Sequence, residues 1–405
     1  MSFKTVNLEK INNLSFIDVK RIPEIFHYFI LVVVWFPTIF SNFLPGTEIF
    51  PWGILLLFLL KIKNLIFLYS FFIFGFLFTF FKNQNQELYD FFRSIAPFLN
   101  IFPIFYYFKQ INYKKYEQVI KKSIITVIYI NFALLFLEIL NLDNFTYYFF
   151  PDRANEISSY ILNYNNRFNF LETEPSRLSI NLFSLGILSK LIFKNNKFLI
   201  LLFIIDIIFV RSLIGYFLWF LITFLNKKKE TLYFFAIFAL VNIVFVIDPR
   251  INTLLNYFFD FSLMFFEKII YFSGHRLPGI IMAINLVFEN HLGYGFIDTA
   301  DQLKNFLNNN INEYKKFLEP TQMLPMFLDG KASLVGFFFN ILFIFGVFSL
   351  PIIFFILKEI FENFRSLNPF FKKTIIVFLV GSIFLFDKGI VYNWILFGYL
   401  NNKTL

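Results

Sequence analysis

The chain has 405 residues, of which 58% are hydrophobic and only 16% are charged, and its formal net charge is +9. Soluble globular domains contain about 45–50% apolar and about 25% charged residues. A soluble protein of this composition would expose large apolar patches to water, so the composition indicates a membrane protein. The chain has no Cys and only three His, none in metal-ligand spacing. Disulfides and Cys-ligated metals are therefore excluded, and no metal site is expected.

The first long apolar run follows a polar, basic segment, 1–24, which we interpret as a cytoplasmic N-terminal segment. Residues 25–405 are predicted to form a single membrane domain, since one transmembrane helix needs about 20 apolar residues. The predicted fold class is an all-α polytopic membrane protein. Its apolar runs lie near 25–43, 48–61, 64–81, 91–108, 119–140, 176–193, 197–210, 211–226, 231–248, 332–357, 371–386 and 388–400.

Every second segment between these runs is rich in lysine, as in 109–122 and 227–229, whereas 141–171 contains no lysine. Short loops with an excess of Lys and Arg stay in the cytoplasm. The alternation therefore predicts about 12 transmembrane helices, with both termini in the cytoplasm. It also favours dividing 197–226 into two spans, because otherwise the 227–229 lysines would lie outside.

Two of the predicted extracytoplasmic loops are long, about 141–175 and 249–331, and they are expected to contain short helices. Within the second loop, 252–272 is apolar but includes two acidic residues. It is predicted to lie in the membrane interface, with a further transmembrane span as the alternative. The polar stretch 301–319 is predicted to be a surface helix.

Lysine and arginine are distributed unequally between the two predicted sides. Lysine prevails inside, whereas the outer loops and outer span ends contain arginine, which opposes the usual distribution. The planar guanidinium group can bind phosphate or carboxylate through two hydrogen bonds. Two interpretations stay open, namely pairing with acidic neighbours in the loops or contact with an anionic substrate. The arginines are Arg93, Arg153, Arg167, Arg177, Arg211, Arg250 and Arg276.

The segment 171–187, LETEPSRLSINLFSLGI, places Glu174 and Arg177 where the first outer loop enters a span. Pro175 suits the first turn of a helix, and an acidic residue just before it favours the helix dipole. Glu174 therefore either caps the helix or has a chemical role. In the functional interpretation, Glu174 is a general base and Arg177 binds an anion at the membrane surface.

Asp206 lies inside the apolar run 197–210, and Arg211 follows it at a predicted outer turn. Ionisable groups within transmembrane helices are costly and usually face a partner or a water-filled cavity. Asp206 is therefore expected either to pair with Arg211 or to face such a cavity. Arg211 is a further candidate for contact with an anionic substrate.

The segment 273–296, SGHRLPGIIMAINLVFENHLGYGF, combines His275 and Arg276 with a predicted helix over 276–289. Pro278 suits the first turn of that helix, and the two glycines of HLGYG end it. A helix N-terminus beside an arginine favours a phosphate group. A lone histidine is more often structural than catalytic, so both readings of His275 stay open.

These segments resemble the O-antigen and capsular polysaccharide polymerases of the Wzy type, within the O-antigen ligase superfamily. EPSR at 174–177 resembles their Glu-Pro-Ser region, and Arg276 followed by HLGYG resembles the Arg and Gly-x-Gly segment of their large outer loop. ASLVGFFFNILFIFGVF at 332–348 resembles the span that follows. Glycine is sparse after Arg211 compared with that family, which leaves polymerase and ligase both open.

The resemblance implies a glycosyltransferase of the bacterial inner membrane that joins oligosaccharide repeat units carried on polyprenyl diphosphate. It implies Glu174 and His275 as catalytic residues, and Arg177, Arg211 and Arg276 as ligands of the diphosphate. No metal, cofactor or nucleic acid is expected. The expected partners are the lipid-linked oligosaccharide, membrane lipids, a chain-length regulator and a flippase. The alternatives are an O-antigen ligase that transfers the finished glycan, or a flippase or transporter of the lipid-linked glycan.

Overall fold

The computed structural model describes residues 23–38, 50–82, 88–140, 175–210, 212–226, 276–318, 324–330, 332, 334–386 and 390–402. Within these ranges all regular structure is helical and no strand occurs, which confirms the all-α prediction for this part of the chain. The predicted span 231–248 and the predicted interfacial helix 252–272 lie outside the described residues.

The helices are α1 (Glu24–Val33), α2 (Ile62–Lys82), α3 (Leu88–Gln110), α4 (Tyr113–Ile139), α5 (Pro175–Phe193), α6 (Lys197–Ile205), α7 (Leu213–Asn226), α8 (Arg276–Glu289), α9 (Thr299–Asn309), α10 (Ile311–Leu318), α11 (Leu324–Leu328), α12 (Phe337–Phe345), α13 (Ser349–Ile360), α14 (Pro369–Phe384) and α15 (Tyr392–Leu400). Shorter helical turns are the 3₁₀ segments Trp52–Leu59, Gly346–Phe348 and Phe364–Ser366, and the π-helical turn Asp206–Val210.

Among the residues that the structure describes, three helical stretches are long and apolar enough to cross a membrane, namely Tyr113–Leu137, Ser176–Phe193 and Phe337–Ser366. Shorter apolar helices occur at Glu24–Val33 and Ile214–Leu225. Large apolar side chains such as those of α2 and α13 are also exposed on the outside of the bundle. Hydrocarbon-facing helices have this character, which indicates membrane association.

Two predicted apolar runs near the N-terminus differ from the structure. In the described part of the run 25–43, the helix ends at Val33, because Pro37 has no N–H to bond the Val33 carbonyl and its ring would clash with that carbonyl. The run 48–61 forms the 3₁₀ segment Trp52–Leu59 rather than an α-helix. A span of about 20 apolar residues is needed to cross the hydrocarbon layer, and this segment is shorter.

The predicted span 332–357 corresponds to the membrane-spanning stretch Phe337–Ser366, which is interrupted at Gly346, between α12 and α13. Gly346 has φ +54°, which a right-handed helix does not permit. The predicted surface helix 301–319 is likewise divided, because Asn310 has non-helical dihedrals between α9 and α10. The prediction for 276–289 is confirmed, since α8 has these bounds.

α6 and α7 form a helical hairpin rather than one continuous helix. Leu199 in α6 and Trp219 in α7 both approach Gly186 of α5, at 3.2 Å and 3.4 Å from the position that a Cβ would take there. The rings of Phe203 and Trp219 are 5.2 Å apart between their centroids. α7 therefore runs back beside α6, which is the division that the lysine pattern favours.

Helix ends next to lysine-bearing segments meet at one end of the bundle. Lys109, at the end of α3, pairs with Glu359 of α13 at 2.5 Å and with Glu362 just beyond it. Asn402, after α15, donates a hydrogen bond to the carbonyl of Phe108 at 2.9 Å. Three helix ends are thus joined by polar contacts at this end.

The ends of α5 and α7 contact the start of α14 in a similar way. Lys373, near the start of α14, donates to the carbonyl of Leu225 at the end of α7. The ammonium group of Lys190, near the end of α5, lies 3.6 Å from the centre of the Phe370 ring. Since the short turn Phe364–Ser366 links α13 to α14, these lysines lie at the same end of the bundle as Lys109.

Aromatic rings fill the space between α2, α3, α12 and α15. Phe71 lies 5.1 Å from both Phe102 and Phe345, and Phe337 lies 4.6 Å from Trp394, measured between ring centroids. Such pairs contribute about 0.5–1.5 kcal/mol each beyond the burial of their surface. Part of the high phenylalanine content therefore forms the core that holds these helices together.

Candidate functional site

Helix α5 has a buried polar face that begins at its N-terminal turn. Arg177, Asn181 and Ser184 are spaced by four and three residues, so they share one side of the helix. They are 7%, 1% and 0% exposed. Asn181 donates to the carbonyl of Trp35, at 3.1 Å, just after α1. Polar side chains inside a helix of membrane-spanning length are costly, and they usually mark a functional path.

Ser184 extends this polar face deepest into the helix. Its hydroxyl is fully buried and has no hydrogen-bond partner among the described residues. The position lies about 10 Å along the helix axis from Arg177, at a rise of about 1.5 Å per residue. The polar face of α5 is therefore long enough to contact a ligand that enters from the Arg177 end.

The opposite side of α5 contacts the hairpin through Asp206. Ser179 donates to one carboxylate oxygen of Asp206 at 2.5 Å, and the indole N–H of Trp219 donates to the other at 2.7 Å. Gly215 closes this site, because a Cβ there would lie 2.6 Å from the Ser179 hydroxyl. Asp206 thus has two partners that the sequence did not indicate, whereas Arg211 lies outside the described residues.

The HLGYG turn binds the interrupted helix pair α12–α13 through its backbone. Tyr294 N–H donates to the Phe343 carbonyl and Gly295 N–H to the Ile344 carbonyl, both at 2.9 Å. In the other direction, Val347 N–H donates to the His291 carbonyl at 2.9 Å. These bonds satisfy backbone groups near the interruption at Gly346, as an apolar environment requires. The two glycine-containing motifs of 291–295 and 332–348 therefore form one structural unit.

This unit also contacts α2. Phe296 N–H donates to the Thr79 hydroxyl at 2.8 Å, and that hydroxyl donates to the Gly75 carbonyl at 2.7 Å. Gly295 lies against Thr79, since a Cβ on Gly295 would lie 2.8 Å from the Cα of Thr79. Thr79 was not among the predicted site residues, because a lone threonine within an apolar run is too common to indicate a site.

Arg276 is the first residue of α8 and is half-buried. The first N–H groups of a helix have no intrahelical partner, so an anion can bind there beside the guanidinium group. The other end of α8 leads into the HLGYG turn. Asn285 in its middle donates to the Tyr314 hydroxyl of α10 at 2.6 Å, which ties α8 to the neighbouring polar helices.

Of the predicted site residues, Arg177 and Arg276 are described, at the first turns of α5 and α8. Glu174, His275 and Arg211 lie outside the described residues. In the described ranges, α5 packs mainly on α6, α7 and α15, whereas α8 packs on α12 and α9, and the two helices share no extensive interface. Each arginine therefore belongs to its own group of helices.

No three His, Asp or Glu side chains lie close enough together to hold a metal ion in the ranges that the structure describes. No protein-family model matches the chain, and no curated protein or solved structure is significantly similar to it. The assignment of a function therefore depends on the residues, their environment and the resemblance of the three short motifs.

Proposed function

We propose that this protein is a polytopic membrane glycosyltransferase that polymerises oligosaccharide repeat units linked to polyprenyl diphosphate, forming an O-antigen or a capsular polysaccharide. The single observation that best supports the proposal is the buried polar face of α5, which begins at Arg177. A guanidinium group that is 7% exposed at the first turn of such a helix is suited to a phosphate group.

In the proposed reaction, a sugar hydroxyl of one lipid-linked unit attacks the anomeric carbon of another. The bond between that carbon and the diphosphate oxygen breaks, and the diphosphate leaves with its negative charge. The diphosphate lies between the two helix groups to which Arg177 and Arg276 belong, and these residues together with Arg211 stabilise its charge in the transition state. Glu174 or His275 accepts the proton of the attacking hydroxyl, and neither role needs a metal ion or a nucleotide sugar.

An apolar groove between α2 and α3 is suited to the polyprenyl tail. It borders the unit formed by the HLGYG turn and α12–α13. The ring of Phe91 lies 5.8 Å from that of Phe296, the residue after this turn, measured between centroids. A polyprenyl chain is apolar and lies among lipid chains, so it needs no polar partner there. The groove is lined by Phe72, Ile73, Phe76, Leu77, Phe91 and Ile95.

The proposed topology has about 12 transmembrane helices, with both termini in the cytoplasm and the 249–331 loop outside. The gathering of Lys109, Lys190 and Lys373 at one end of the bundle supports it, because short lysine-rich segments stay in the cytoplasm. The reaction requires Arg276 on the outer side, where the lipid-linked glycan is delivered.

Single-cysteine labelling tests this topology, since the natural chain has no cysteine that would react. Asn308 of α9 and Lys358 of α13 are both exposed. In intact cells or spheroplasts, a membrane-impermeant maleimide is expected to label Asn308→Cys but not Lys358→Cys. Lys358→Cys should react only after the membrane is permeabilised. The reverse pattern would place Arg276 in the cytosol and rule out the proposed donor site.

A transporter or flippase of the same lipid-linked glycan is the second candidate. One observation favours it: the helix pair α12–α13 is interrupted at Gly346, and discontinuous helices often surround substrate sites in transporters. The buried Asp206 is a further point in its favour. A ligase remains the other enzymatic alternative, since it would use the same donor.

The glycan profile of a deletion strain distinguishes the three activities. Loss of a polymerase is expected to leave single repeat units on the final acceptor, and the wild-type gene should restore long chains. Long chains that accumulate on polyprenyl diphosphate would instead indicate a ligase. Single lipid-linked units held in the inner leaflet would indicate a flippase.

A further inference from the structure

Asp206 is a buried carboxyl group in the interior of the helix bundle. It is 1% exposed and opens the π-helical turn between the apolar helices α6 and α7. Ser179 and Trp219 are its hydrogen-bond partners, at 2.5 Å and 2.7 Å. π-helical turns are rare and are frequently found at functional sites. The carboxyl group therefore occupies a specific site rather than a chance position in an apolar run.

The described groups that face Asp206 are neutral. α5 contributes Ser179, and α7 contributes Trp219 and the backbone of Gly215. Arg177 is two residues before Ser179, which turns its side chain by about 200° around α5 and away from Asp206. No cation contacts Asp206 among the described residues, while Arg211 lies outside them.

The side of the carboxyl group that faces Gly215 is closely packed. A single Cβ at Gly215 would lie 2.6 Å from the Ser179 hydroxyl and 2.8 Å from an Asp206 carboxylate oxygen. A carboxylate that is buried without a cation loses its hydration, and two neutral hydrogen bonds offset only part of that cost. Such a group avoids the cost by taking up a proton.

We propose that Asp206 is an intramembrane proton-binding site, in which the side chain is held as the neutral carboxylic acid between α5 and the α6–α7 hairpin. The proton is the ligand: in the neutral acid, the oxygen that faces Ser179 carries it and donates to the Ser179 hydroxyl, while the other oxygen accepts from the Trp219 indole N–H. The inference does not depend on the proposed enzymatic function, because it concerns the side of α5 opposite to Arg177, Asn181 and Ser184.

Isotope-edited infrared spectroscopy tests this, with the purified full-length protein in lipid vesicles at neutral pH. The difference spectrum between the wild type and Asp206→Asn is expected to show the loss of one carbonyl band of a protonated carboxylic acid. Glu117→Gln is the matched control, since Glu117 pairs with Lys121 at 2.6 Å and is 44% exposed. Its difference spectrum should show the loss of carboxylate bands only.

Carboxylate bands lost in Asp206→Asn would overturn the proposal and indicate an ion pair with Arg211. If Asp206→Asn does not fold, the spectrum of the wild type alone decides. At neutral pH it is expected to contain the carbonyl band of a protonated carboxylic acid, although exposed carboxyl groups such as Glu117 are ionised. The absence of any such band from the wild type would also overturn the proposal.

Discussion

Replacing either Gly293 or Gly346 with alanine is expected to abolish the folded protein. Both residues have positive φ, +83° and +54°, which costs an L-residue about 1–2 kcal/mol. A Cβ on Gly293 would lie 2.5 Å from the backbone nitrogen of Gly346, and one on Gly346 would lie 2.1 Å from the carbonyl oxygen of His291. Backbone cannot move aside as a flexible side chain can.

The alanine variants would therefore force the HLGYG turn away from α12–α13. The three hydrogen bonds that join them would break, at about 1 kcal/mol each. The N–H of Gly295 and the carbonyls of Phe343 and Ile344, which belong to buried residues, would then have no partners, at about 1–3 kcal/mol each. The sum approaches the whole stability of a typical domain. Fluorescence-detected size-exclusion chromatography of the solubilised protein measures the folded fraction.

Two other glycines provide matched controls. Gly330 also has positive φ, +69°, but a Cβ there would come no closer than 3.4 Å to the Lys304 side chain, so Gly330→Ala isolates the conformational cost of about 1 kcal/mol. Gly279 lies within α8, with Phe327 at 3.7 Å, and Gly279→Ala should be neutral or stabilising by up to about 1 kcal/mol. If Gly293→Ala lost no more folded protein than Gly330→Ala, the close backbone contact would not be needed.

Arg177→Lys and Arg276→Lys are each expected to lower polymerase activity by about 100-fold, the order found when one stabilising donor is removed from a transition-state site. Lysine keeps the positive charge but loses the planar pair of donors that matches a phosphate. The rate of polymer formation from a polyprenyl-diphosphate-linked repeat unit in vesicles measures the effect. Membrane insertion and the folded fraction should stay close to the wild-type values.

Arg365→Lys is the control for these variants, because Arg365 is exposed and lies next to the lysine-rich end of the bundle. It should retain wild-type activity. Full activity in both Arg177→Lys and Arg276→Lys would remove the proposed diphosphate site. Loss of activity together with loss of folded protein would show instead that the arginines stabilise the helix ends.

Local sequence signals predicted several elements well. Pro175 begins α5, and α8 has the predicted bounds 276–289. The lysines at 227–229 favoured two helices in 197–226, and the structure has a hairpin there. These features depend on proline geometry, on helix termini and on the charge of short segments, which act over a few residues of chain.

Hydropathy alone did not predict how the apolar runs fold. The prediction of a transmembrane α-helix over 48–61 was wrong, because Trp52–Leu59 is a 3₁₀ helix. Here the backbone of Gly53 lies against α3, with its N–H bonded to the Asn100 side chain at 3.0 Å. The run 332–357 is long and apolar enough to span a membrane, over Phe337–Ser366, but hydropathy did not indicate its interruption at Gly346, to which the HLGYG turn supplies hydrogen bonds. Both outcomes depend on contacts with distant parts of the chain.

The amino-acid sequence by itself determined the helical class, the membrane character and two candidate arginines at helix starts, since composition, charge and capping are local properties. Tertiary structure alone placed Asp206 between Ser179 and Trp219, and the HLGYG turn against Gly346. Those partners are 13 to 55 residues apart in the chain. Only packing brings such groups together, because an apolar interior leaves a buried carboxyl or backbone group no water and requires a partner from elsewhere in the fold.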